Sequence, residues 1–340
     1  HSAVKVCGWA KKMIRGEGGC YKLKFYGIRS NQCLQMSTSL SCANRCIFCW
    51  RDYKAPVSKE WLGEINDPQE IIDGAKEAQK ELLSGFGGHP SAITELKNES
   101  KTVKHVALSL TGEPINYPKI NEIINLFHKE KISTFLVTNG QYPEELKDLP
   151  PITQLYISLD APSKEILKKV SQPLFTDHWE RLNKSLEYLS EKKERTCLRF
   201  TLMREINMCD LEGYSKLIQK ADPDFLEIKA YMFVGSSRQR LDLKNMPFHE
   251  DMVNFSKALV KYLPDYEIVA EHIPSRIVLL AKKKYKKNGK WHTWIDFDKF
   301  FNKEEDYSRE TPETGLSGKG TKERMKVDEK TEELELWKED

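Results

Sequence analysis

The sequence encodes an α/β protein, a partial (β/α)6 barrel, and two patterns lead to that class. Short apolar, β-rich runs alternate with stretches that carry an apolar stripe at 3.6-residue spacing. Polar residues and glycines recur where successive apolar runs stop. Strand–helix alternation of this kind builds a parallel sheet from βαβ units. Ligands of such folds gather at the carboxyl ends of the strands.

The first strand is expected near QMSTSLSC, residues 35–42. VALSL (106–110) is the second, followed by the helical pattern INEIINLFHKE. TFLVTNG (134–140) is the third and precedes the short polar run YPEELKDL. QLYISLD (154–160) is the fourth, followed by SKEILKKV and HWERLNKSLEYLSEKKE. CLRFTLM (197–203) precedes LEGYSKLIQKA, and FLEIKAYMFV (225–234) is the sixth run. Six units suffice for an open TIM-like barrel. It is assigned to residues 35–275, behind an N-terminal segment 1–34. At 276 the pattern changes. AKKKYKKNGKWHTW is basic and aromatic, and residues 303–340 are charged and poorly periodic. Residues 276–340 are therefore expected to form a surface extension with a partly disordered tail.

Lys and Arg number 54 against 51 Asp and Glu, a net charge of only +3. Any nucleic-acid contact then needs locally clustered charge. The longest apolar stretches, such as RIVLLA, are too short to span a bilayer, and no secretory signal pattern opens the chain. A cytoplasmic monomer with no membrane partner is expected.

Six of the eight cysteines fall in the first 49 residues. In a large chain without a secretion signal, such crowding points to metal binding in a reducing compartment rather than to disulfides. Cys42, Cys46 and Cys49 follow the first strand in the spacing C-x3-C-x2-C. A closed structural site takes four protein ligands. Three thiolates can hold a [4Fe-4S] cluster with one iron open to a small molecule, or can bind zinc completed by a distant Cys or His. The other strand ends carry TGEP (Thr111–Pro114), TNG (Thr138–Gly140), SLD (Ser158–Asp160) and REIN (Arg204–Asn207). Each alone is ordinary turn chemistry, but together they ring one mouth.

CANRCIFC and TGEP together resemble the radical S-adenosylmethionine (SAM) superfamily. The resemblance implies that SAM fills the open iron position. One electron from the cluster then breaks a C–S bond to give a 5'-deoxyadenosyl radical. It places Gly112 and Glu113 at the methionine amine and Phe48 near the adenine. Thr138, Asn139, Ser158 and Asn207 become candidate contacts to the ribose or carboxylate.

Upstream, Cys7, Cys20 and Cys33 are separated by thirteen residues each time. With GGCYKLKFYGIRSNQC, and on through WHTWIDFDKF, the chain resembles the 4-demethylwyosine synthases of wybutosine tRNA modification. That likeness implies a second [4Fe-4S] cluster on Cys7, Cys20 and Cys33. It implies tRNA-Phe as substrate, read at its anticodon loop and carrying N1-methylguanosine at position 37. Pyruvate would be the carbon donor, held at the second cluster's open iron as a Lewis acid. Lys22 would form a Schiff base with it, which requires an uncharged amine. The chain shows no flavodoxin-like domain, as in the archaeal form, so a separate electron-donor protein is expected. Basic and aromatic side chains read unstacked bases, which makes Lys282–Trp294 a candidate tRNA surface and GSSRQR (235–240) a second. Two competing readings are another radical SAM enzyme with an auxiliary cluster and a zinc-bearing RNA-binding protein without catalysis.

Overall fold

The computed structural model describes residues 2–316. Strand β1 (Ala3–Val4) and helices α1 (Gly8–Ile14) and α2 (Tyr21–Tyr26) lead into β2 (Cys33–Ser37). Helices α3 (Pro68–Ser84) and α4 (Thr94–Glu99) precede β3 (His105–Leu108), α5 (Ile120–Lys129) and β4 (Ser133–Thr138). Then come α6 (Pro143–Lys147), β5 (Gln154–Ser158), α7 (Lys164–Ser171), α8 (His178–Ser190), β6 (Thr196–Leu202), α9 (Leu211–Ala221) and β7 (Phe225–Ala230). Helix α10 (His249–Leu259) and strands β8 (Tyr266–His272) and β9 (Ile277–Lys282) follow.

Strands β2 to β7 lie side by side in chain order and all pair in parallel. These are the six strands expected, and they form an open (β/α)6 barrel. The helices cover its outside because each buries one stripe. In α5 the stripe is Ile120, Ile123, Ile124 and Phe127, the i, i+3, i+4, i+7 spacing of one helix face. The polar run YPEELKDL contains the single-turn helix α6. The 17-residue helix α3 was not expected. Its start is fixed by Asp67, whose side chain accepts from the backbone of Gln69 and Glu70, with Pro68 in the first turn.

The sheet also runs past residue 276. Strand β9 pairs antiparallel with β7, and β8 pairs antiparallel with β9. IVLLAK is thus a sheet strand, buried on both faces for most of its length, not the start of an extension. The register Phe225↔Ala281 carries the chain to the amino ends of the parallel strands. Short strands β10 (Lys286–Lys287), β11 (Lys290–Trp291), β12 (Trp294–Ile295) and β13 (Ser308–Arg309), with α11 (Phe297–Phe301), close the barrel there. Tyr285, Ile295 and Tyr307 pack with Phe25, Tyr26 and Phe225 in one apolar cluster. Tyr307 Oη accepts from the Arg195 N–H at 2.8 Å and donates to the Thr153 carbonyl at 3.1 Å. Trp294 lies against Gly27 (φ +78), where a Cβ would come within 2.8 Å of the indole.

The segment Lys282–Trp294 therefore caps the end of the barrel opposite the carboxyl ends of the strands, which corrects its reading as a tRNA-facing surface. Its lysines pair with carboxylates: Lys282 with Asp222 and Lys284 with Asp224 at 2.6 Å, Lys286 with Glu267 and Lys290 with Glu310 at 2.8 Å. The charged tail from residue 317 onward falls outside the described residues. Among the described residues no helix is long and apolar enough to cross a membrane.

Candidate functional site

A cavity of about 470 Å³ opens at the carboxyl ends of the parallel strands. Cys7, Cys20, Cys33, Cys42, Cys46 and Cys49 all line it, and none is in a disulfide. The cysteines sort into two groups by their electrostatic neighbours. Cys42 and Cys49 bear on Cys46, and Cys20 and Cys7 bear on Cys33. Among the described residues no three or more His, Cys, Asp or Glu side chains approach closely enough to hold a single metal ion. All six thiols are thus free and face one cavity as two sets of three.

The loop after β2 is held from two sides. The Arg45 and Ile47 N–H groups donate to the Ser171 and Val170 carbonyls of α7 at 2.9 Å. Arg240 Nε donates to the Ile47 carbonyl at 3.0 Å, its Nη2 donates to the Cys49 carbonyl, and its guanidinium lies 4.0 Å from the Tyr53 ring centroid. Within GSSRQR, the candidate tRNA surface, Arg240 turns its Nε and one Nη2 donor to the cysteine loop. Burial pushes the Cys42 thiol up to about 12, with Glu113 adding to the rise.

Gly112 follows β3 at φ +67, and a Cβ there would sit 2.0 Å from the Ser39 carbonyl oxygen. Only glycine fits. The next residue, Glu113, is buried, and its Oε2 accepts from the Asn139 N–H at 2.8 Å. Its Oε1 is buried without a hydrogen-bond partner. Burial raises this carboxyl to about 7. An unpartnered buried carboxylate oxygen facing a ligand cavity is a place for an amine. Asn139 Nδ2 reaches Cys42 Sγ at 3.5 Å, and Phe48, Thr138 and Ser158 stand on the same lining.

Cys7 and Cys20 immediately precede α1 and α2, and Cys33 opens β2. Lys22 lies among them and lines the same cavity. It is buried, with Nζ 5.4 Å from the Tyr156 and 5.7 Å from the Phe135 ring centroids. Among the described residues its ammonium has no carboxylate partner.

Asn207 stands apart. It is fully buried, its Oδ1 accepts from the Met203 N–H at 2.6 Å, and its Nδ2 donates to the Asp160 and Thr201 carbonyls at 2.8 and 2.9 Å. Its amide is committed to the turn after β6, so the expectation that it touches a ligand is corrected. One arginine was missed: Arg199 projects into the cavity from β6, and an isolated arginine carries no motif in the sequence. Arg240 was noticed within GSSRQR, but its hold on the cysteine loop was not foreseen.

Residues 36–218 match the radical SAM superfamily, and residues 220–282 match the wyosine base formation family. A solved structure of TYW1 with a lysine–pyruvate adduct bound superposes with a TM-score of 0.77 at 34% identity, covering 85% of this chain and 93% of that one. The chain belongs to the 4-demethylwyosine synthase family of radical SAM proteins. The crystal structure of an archaeal TYW1 superposes at 0.70 with 31% identity, covering 85% of this chain and 92% of that one. The SAM-dependent tRNA 4-demethylwyosine synthase TYW1 of Xenopus laevis is 45% identical over 94% of the chain, and that of rice, Oryza sativa, 46% over 94%. The chain spans 45% and 50% of those relatives' lengths, about half. Radical SAM membership carries with it SAM and a [4Fe-4S] cluster. The free thiols on the loop after β2 and the unpartnered Glu113 oxygen fit that pair of cofactors.

Proposed function

We propose that this protein forms the tricyclic 4-demethylwyosine base on tRNA-Phe, joining N1-methylguanosine-37 to two carbons of pyruvate. The observation that carries this reading is the single cavity on which both cysteine triads and Lys22 meet. Cys42, Cys46 and Cys49 hold the radical-generating cluster. Cys7, Cys20 and Cys33 hold a second [4Fe-4S] cluster. When bound, the first cluster and SAM supply the one-electron C–S cleavage that starts hydrogen abstraction from the N-methyl group. Glu113 takes the methionine amine, Gly112 lets the strand end approach it, and Phe48, Thr138, Asn139 and Ser158 line the remaining contact. Lys22 engages the pyruvate ketone, a role supported by the lysine–pyruvate adduct of the TYW1 structure. Its burial on an aromatic floor keeps bulk water from the carbon that it would attack. The anticodon loop docks over the cavity mouth, a separate protein supplies the electron, and the enzyme works as a cytoplasmic monomer.

The test is Cys20→Ala in anaerobically reconstituted protein. Wild type should hold ~8 iron atoms and the variant ~4. The variant should still yield 5'-deoxyadenosine from SAM and should form no tricyclic base. Loss of both activities with unchanged iron would reduce the N-terminal triad to a support of the fold.

A further inference from the structure

Arg199 lines the cavity on the side of Lys22, and its guanidinium is only lightly committed. It extends from β6, where Arg199 pairs with Ser158 of β5 and Glu227 of β7. Its side chain is 24% exposed, and that exposure is toward the cavity it lines. Among the described residues it donates no hydrogen bond. Its one ion pair is long: Nε stands 3.9 Å from Oε2 of Glu227, a fully buried carboxylate whose Oε1 already accepts from Tyr26 Oη at 3.0 Å. Arg51 Nη1 donates to the Leu40 carbonyl at 2.6 Å, and Arg45 belongs to the loop of Cys42, Cys46 and Cys49, where its guanidinium lies 5.8 Å from the Tyr53 ring centroid.

A guanidinium offers five donors in a planar fork that matches a carboxylate. Here the fork is held from behind by a buried negative charge and left open in front. Its neighbour is the Tyr21 ring, at 5.9 Å. Tyr21 is joined directly to Lys22, whose ammonium lies over Tyr156, the residue two before Ser158 on β5. A cationic fork and an amine thus share one floor.

The geometry points to Arg199 as the residue that binds the carboxylate of the α-oxo acid whose ketone reacts with Lys22. This rests on the pyruvate reading given above. The Lys22 ammonium gives up one proton, its amine adds to the keto carbon, the proton returns to the carbinolamine hydroxyl, water leaves, and an iminium cation forms one bond from the carboxylate. Arg199 holds that carboxylate while Glu227 keeps the guanidinium in place. Arg199 is then a determinant of substrate choice: it favours an oxo acid over a neutral ketone or ester of the same size.

Reductive trapping tests the assignment. Anaerobically reconstituted protein is incubated with pyruvate or methyl pyruvate and cyanoborohydride, which reduces the iminium to a secondary amine that mass spectrometry locates on Lys22. Charge-assisted hydrogen bonds of this kind are worth about 10- to 100-fold in affinity. Arg199→Met should therefore raise the half-saturating pyruvate concentration about 10- to 100-fold and leave methyl pyruvate unchanged. Arg199→Met with Glu227→Gln, which removes both charges, should behave the same and guards against misfolding around an uncompensated buried carboxylate. SAM affinity, measured by equilibrium dialysis, should be unchanged in both. Equal pyruvate saturation in wild type and both variants overturns the proposal. So does a loss of SAM affinity with normal pyruvate trapping, which would assign the guanidinium to the methionine carboxylate. If wild type traps no adduct at Lys22 at any pyruvate concentration, the pyruvate reading itself fails, and this assignment with it.

Discussion

Arg240 donates hydrogen bonds to the carbonyls of Cys49 and Ile47 and so ties a loop beyond β7 to the cysteine loop that follows β2. The two residues are 191 positions apart in sequence. The planar guanidinium also stacks on Tyr53. An ammonium supplies neither the fork nor the stacking.

Arg240→Lys should therefore behave almost like Arg240→Ala. Each variant should lose iron to a chelator several-fold faster than wild type, because hydrogen bonds of this kind are worth about 1 kcal/mol each. Bleaching of the iron–sulfur absorbance measures it. Unchanged bleaching rates would show that the loop holds its shape without this clamp.

Gly112→Ala should lower SAM affinity by at least about 10-fold. The left-handed backbone costs a non-glycine residue roughly 1–2 kcal/mol, and the Cβ would strike the Ser39 carbonyl at 2.0 Å. Relief would pull Glu113 away from Asn139. Equilibrium dialysis reads the affinity, and circular dichroism checks that the barrel is intact.

Acid should destabilise the fold through two buried histidines. Burial holds His105 and His272 down to about 3, and both are under a tenth exposed. An unfolded histidine titrates near 6.5. Above that value both are neutral in either state and the stability is fully present. As pH falls below it, the unfolded chain binds protons that the folded chain refuses, so stability drops by ~1.4 kcal/mol per pH unit for each. Other buried groups add their own slopes, so the difference between proteins is what reads His105: on going from pH 5.5 to 4.5, His105→Gln should lose about 1.3 kcal/mol less stability to urea than wild type. An unchanged slope in the variant would mean that His105 protonates in place.

The basic segment at the closed end of the barrel should be indifferent to tRNA. Replacing Lys284, Lys286 and Lys290 together by Gln removes ion pairs with Asp224, Glu267 and Glu310. Exposed pairs contribute little, so stability should fall by about 1–2 kcal/mol in total. The salt dependence of tRNA binding should stay as it is. A slope reduced by about one unit per lysine would mean that tRNA wraps around to that end.

The six parallel strands were legible because each is a short apolar run closed by polar or glycine residues, as VALSL and TFLVTNG are. The antiparallel pair was not. IVLLAK carries the strand signal but is followed by a basic run, and the sign of that run was read as a change of domain. Only the pairing Phe225↔Ala281 reveals it as the barrel's last staple. The spacing of the cysteines and the strand-end position of Glu113 singled them out in the sequence, and the structure sets all seven on one cavity. Asn207 was misread, because a residue at a strand end serves a turn as readily as a ligand. Arg199 was invisible among 54 basic residues, and Arg240 was read only as part of a candidate tRNA surface. Their roles depend on which groups tertiary packing leaves open or fills.

The central claim is that both triads and Lys22 form one reaction centre acting on tRNA. It is tested most directly by incubating the anaerobically reconstituted protein with SAM, dithionite, carbon-13-labelled pyruvate and tRNA-Phe bearing N1-methylguanosine-37, then digesting the tRNA for mass spectrometry. The account predicts a nucleoside carrying two labelled carbons and the mass of the tricyclic base, absent when pyruvate is omitted. Formation of 5'-deoxyadenosine with the methylguanosine unchanged and unlabelled would contradict it.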